Sequence, residues 1–106
     1  MPTALPPLTD DGFLKDVYAW NEDVAEQLAQ QVGVQLDEAH WEVLHLLRRY
    51  YQEFDSSPAM RALVKYCRNN LGEEKSSSIY LLKLFPESPA KIASRIAGLP
   101  KPANCL

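Results

Sequence analysis

Long apolar runs are missing from this sequence: none approaches the roughly 20 residues that a bilayer-spanning helix needs. No basic-then-apolar leader opens it, so a soluble protein of the cytoplasm with no membrane partner is the expectation. Cysteine is scarce. The two present, Cys67 and Cys105, cannot build a disulfide framework, and no paired CxxC suggests a zinc site. Histidine is equally thin. His40 and His45 are five residues apart on one predicted helix, whereas shared metal ligation favours four. There is no glycine-rich phosphate loop and no recognisable Ser/His/Asp motif, and the carboxylates gather at helix starts, where capping accounts for them. These absences argue against an autonomous enzyme, and neither a metal nor an organic cofactor is expected.

What is present suits one modest domain: 106 residues, 46% apolar and 24% charged. The net charge of −3 hides an asymmetry. Residues 1–55 carry 11 acidic and 3 basic side chains, while residues 56–106 carry 3 acidic and 8 basic ones. Arg61, Lys65 and Arg68 recur at helical spacing, as do Lys91 and Arg95, and Lys101 follows near the end. Together they form a candidate face for docking an acidic partner; a merely solvated face is the alternative.

Helices dominate the pattern. The proline-rich opening reads as an extended lead-in, and Asp11-Gly12 marks a turn that could close a short β element. Asn21 caps a first helix with Val24, Leu28 and Val32 on one face and Gly33 as its stop. Asp37 caps the next, "EAHWEVLHLLRRYYQEF", whose stripe of Ala39, Val43, Leu46, Leu47, Tyr50 and Phe54 is wide enough for the central helix. Ser57-Pro58 starts a third, ended by Gly72, with Met60, Leu63, Val64, Cys67 and Leu71 facing inward. A short helix through "IYLLKLF" and one opened by Ser88-Pro89 and closed by Gly98 complete the set. The expected fold is mainly α (α+β): a compact array of about five helices over residues 1–98, with a small N-terminal β element. A mobile C-terminal arm, 99–106, follows. The helix, tight joint and basic helix around Ser57 also permit a helix-turn-helix reading, which the acidic total charge disfavours.

The two cysteines differ in setting. Cys67 falls in an apolar stripe and reads as a small, inert core residue. Cys105 is next to the last residue of the sequence, behind Pro100 and Pro102. The eight residues from Leu99 to Leu106 span at most about 26 Å at about 3.3 Å each. A thiolate so placed suits thiol and persulfide exchange with a partner, where access limits the rate as much as pKa does.

The segments "HWEVL", "FDSSPAMRALVKY", "LGEEK", "YLLKLFP" and above all "PAKIASRIAGLPKPANCL" resemble the DsrC/TusE family of small sulfur-carrier proteins, from about Thr9 to Leu106. The resemblance implies a helical array with an N-terminal β-meander, whose first strand is missing or altered here, and a C-terminal arm with Cys105 as its reactive residue. Family members that serve dissimilatory sulfite reductase carry a second arm cysteine eleven residues earlier; here that position is Ser94. The chain is therefore closest to the TusE type. That type implies a sulfur carrier acting as co-substrate: it accepts persulfide sulfur from a TusBCD-like complex and passes it to an MnmA-like thiouridylase for tRNA wobble-uridine thiolation. Partnership with dissimilatory sulfite reductase or sulfur-oxidation machinery is the alternative, and a DNA-binding regulator a more distant one.

Overall fold

A computed structural model describes residues 4–103. Cys105 and its two neighbours lie outside the described residues. Among the described residues are five helices: α1 (Glu22–Gln31), α2 (Glu38–Phe54), α3 (Met60–Leu71), α4 (Ser78–Leu84) and α5 (Pro89–Ile96). One 3-10 turn, Val17–Ala19, precedes α1 and another, Glu73–Lys75, joins α3 to α4. None of the helices is long and apolar enough to cross a membrane.

The caps act as their side chains dictate. The Asn21 carboxamide oxygen accepts the Val24 N–H at 2.9 Å, and Asp37 accepts those of Ala39 and His40. Hydrogen bonding from His40 also holds the Asp37 carboxyl below its ordinary range. Ser77 caps α4 by accepting the Tyr80 N–H. The start of α3 departs from the serine–proline reading. Its N-cap is Ala59 with no side-chain bond, and the Ser57 hydroxyl donates to the carbonyl of Pro100. The expected β element shrinks to one antiparallel bridge, Leu8 with Leu14, closed by the turn at Gly12. Thr9 and Phe13 complete this corner, the Thr9 N–H donating to the Phe13 carbonyl at 2.7 Å.

Val43, Leu44 and Leu47 of α2 are fully buried against Leu63 and Cys67 of α3, Leu81 of α4, and Ala93 and Ile96 of α5. Phe54 corrects the predicted α2 stripe: it is 51% exposed, its ring packing against Tyr50 and Tyr66 at the edge of the core and not within it. His40 is buried, with Nε2 placed 2.8 Å from the Leu84 carbonyl.

Cys67 has no exposed surface, and burial pushes its thiol up to about 11 from an ordinary 9.0. It should resist alkylation in the native state, and Cys67→Ala should cost on the order of 1 kcal/mol. The thiol must stay protonated to remain buried. Its contribution is therefore complete below pH 9 and lost as pH rises toward 11. Chemical denaturation of parent and Cys67→Ala across that range should show the difference between them narrowing. A difference that stays constant would refute the burial argument.

Candidate functional site: the root of the C-terminal tail

Packing continues past residue 98. Leu99 is fully buried in the main core and Pro102 is buried as well. Four contacts from distant parts of the chain hold this root. The Trp20 indole N–H donates to the Ile96 carbonyl at 2.9 Å. Arg48 donates from Nη1 to the Ala97 carbonyl at 3.0 Å and from Nη2 to the Val17 carbonyl at 3.1 Å. Its guanidinium also lies 4.6 Å from the centre of the Trp20 ring, a cation–π contact. Further along, Ser57 takes the Pro100 carbonyl, and the Lys101 ammonium pairs with Asp11 at 3.3 Å.

Helices end with carbonyls that lack intrahelical partners. At the end of α5 two of these, from Ile96 and Ala97, receive side-chain donors from Trp20 and Arg48. Gly98 then turns the chain with a φ of 74° that other residues rarely adopt, and the Leu99 N–H returns to the Ser94 carbonyl at 3.0 Å. The signal for Trp20 and Arg48 was not visible in the sequence, since their partners lie 76 and 49 residues away.

This fixes the reach of Cys105. From Pro102 only three residue steps remain, and they span at most about 11 Å at about 3.6 Å each. Counted in the same way from Leu99, the six steps to Cys105 would span about 22 Å at about 3.6 Å each.

The basic residues differ in their surroundings. Arg61, Lys65 and Arg68 are exposed on α3 and, with Met60, Val64 and Ser78, line an open groove of about 640 Å³. Arg95 is elsewhere and occupied, donating from Nε to the Gly12 carbonyl and from Nη2 to Gln31. Lys101 is committed to Asp11, and Lys91 is half-buried on α5 outside that groove. Of the basic side chains singled out from the sequence, the α3 triad is the set that shares one groove. Ser94 is fully buried, and its hydroxyl has no partner among the described residues. Among those same residues, no group of three or more His, Cys, Asp or Glu side chains could hold a metal ion.

A family model described as "DsrC like protein" matches residues 5–106. Sulfurtransferase TusE of Pectobacterium atrosepticum is 55% identical over 95 residues, covering 90% of this chain and 87% of the relative. A sulfurtransferase TusE homolog of Haemophilus influenzae is 52% identical over 96 residues, covering 91% and 88%. Among solved structures, DsrC of Allochromatium vinosum superposes with a TM-score of 0.85 at 43% identity, covering 93% of this chain and 88% of that one. The oxidized gamma-subunit of the dissimilatory sulfite reductase (DsrC) from Archaeoglobus fulgidus gives 0.81 at 42%, covering 95% and 92%. The fold, the terminal block and these likenesses agree: the chain belongs to the DsrC-like family.

Proposed function

We propose that this protein is a sulfur-relay carrier that holds a persulfide on Cys105. What carries the reading is the contrast between its thiols. Cys67 is sealed in the core with a raised pKa, so exchange chemistry falls to Cys105 beyond a fixed root. Relatives that bear the sulfurtransferase TusE name over nine-tenths of the chain support it.

The Cys105 thiolate attacks the outer sulfur of a donor persulfide. A new S–S bond forms, the donor's S–S bond breaks, and the donor thiolate leaves with the electron pair. Cys105 is then a persulfide. An acceptor thiolate next attacks that same outer sulfur, and the Cys105 thiolate is the leaving group. Oxidation state balances in both steps with no metal or redox cofactor. The donor is a TusBCD-like complex and the acceptor an MnmA-like thiouridylase that holds tRNA, all in the cytoplasm. The protein is consumed and regenerated as a co-substrate.

Likeness to the gamma-subunit of dissimilatory sulfite reductase favours a second reading, service to that enzyme. Ser94 weakens it, because its hydroxyl cannot form a disulfide with the Cys105 thiol. Incubation with a persulfide-loaded TusBCD-like complex should add one sulfur atom, located on Cys105 by peptide mass analysis and removed by reductant. Sulfur found on Cys67, or on neither cysteine, would sink the carrier assignment.

A further inference from the structure

We propose that the corner between α2 and α3 is where sulfur-exchanging proteins dock, with Phe54 as its aromatic anchor and Arg61 as its cation. The inference rests on the carrier reading and names the surface that serves it. The occupant is a thiol-bearing protein that offers an apolar recess for the Phe54 ring and carboxylates at its rim.

Chain length is the first argument. Cys105 is held within about 11 Å of Pro102, so its partner must close over the ground on which the root sits. A standard interface covers about 800 Å² per partner, a disc of roughly 16 Å radius. Ser57 belongs to that ground, because its hydroxyl bonds the Pro100 carbonyl. Phe54 precedes Ser57 by three residues and Arg61 follows it by four, so both flank the point where the root is pinned.

Chemistry is the second argument. Phe54 is half-exposed yet held from beneath, with ring centres 4.6 Å from Tyr50 and 6.2 Å from Tyr66. Tyr66 is itself fixed by donating its hydroxyl proton to Glu53 at 3.0 Å. An aromatic ring on so rigid a base loses little freedom when a partner covers it, and aromatic and arginine side chains dominate interface hot spots. Arg61 opens the α3 groove that continues through Lys65 and Arg68, and none of the three has an ion pair among the described residues. Cations without an ion pair on α3 and an exposed ring at the end of α2 match an acidic, apolar-centred partner surface. Tyr18, Ile79 and Leu82 are also exposed, and among the described residues Ile79 and Leu82 on α4 have no hydrogen bond or ion pair to the root.

The test uses the full chain with two probes, a purified TusBCD-like complex and a purified MnmA-like thiouridylase, and measures equilibrium binding to each. Phe54→Ala and Arg61→Glu should each weaken binding at least tenfold, while Phe54→Leu restores most of it. Ile79→Asp should stay within twofold of the parent. Alkylation of Cys105 by iodoacetamide, and the thermal midpoint of Arg61→Glu and Phe54→Leu, should not move, which separates docking from folding. Parental binding by both Phe54→Ala and Arg61→Glu, or loss confined to Ile79→Asp, overturns the docking inference alone. A parent that gains no sulfur on Cys105 from the loaded donor overturns the carrier reading instead.

Discussion

Cys105→Ser should abolish sulfur delivery to the acceptor, to the level seen without carrier, while leaving the helical signal and the thermal midpoint unchanged. A hydroxyl occupies nearly the same volume as a thiol but cannot hold the transferable sulfur, so the chemical and structural roles part cleanly at this residue. Binding to the donor complex should survive, because the docking groups proposed above lie on α2 and α3. The decisive measurement is transfer of labelled sulfur from loaded donor to acceptor, with Cys67→Ala run beside it. Cys67→Ala should relay at the parental rate, since its buried thiol takes no part. If Cys105→Ser still relays above the level seen without carrier, the sulfur does not travel on Cys105.

Gly98→Ala should be the most damaging single-atom addition in the molecule's described part. Two costs combine. The φ of 74° disfavours any side chain, and an added Cβ would collide with the Trp20 ring and with Leu14. Trp20 cannot give way freely, because its N–H is bound to the Ile96 carbonyl and its ring lies under Arg48. The expected loss is about 2–4 kcal/mol. For a domain of this size that lowers the thermal midpoint by roughly 10 °C or more. Differential scanning calorimetry decides it. A drop of only a degree or two would mean that the root is looser than its contacts imply.

Local signals carried most of the helical reading. Asn21 and Asp37 are caps whose partners lie two or three residues away, so the sequence alone displays both halves of each interaction. The 3.6-residue period likewise placed Val43, Leu47 and Cys67 inside. Ser57 shows where this fails. Its hydroxyl had a plausible local use as a cap, but a carbonyl 43 residues away takes it instead. Phe54 fails for a related reason: periodicity gives the direction a side chain points, not whether another element reaches far enough to cover it. Charge followed the same rule. Arg61, Lys65 and Arg68 stayed together because one helix carries them, whereas Arg95 and Lys101 were claimed by the turn at Asp11 and Gly12. Cys105 itself was legible as a candidate from its setting in the terminal block, and the family likeness supplied its chemistry.

The tie between the N-terminal turn and the tail root also bears on how the molecule assembles. Bonds joining Gly12 to Arg95, Asp11 to Lys101 and Trp20 to Ile96 close loops of 83, 90 and 76 residues. Loops that long carry a large entropic cost of closure before any contact rewards it, so they are expected to form after α2 and α3 have met. The root is then a late-locking latch. Lesions there, at Trp20 or Arg48, should speed unfolding far more than they slow folding. The residues that seat the tail root would thereby govern how long each molecule stays native, coupling its working lifetime to the geometry of the proposed delivery.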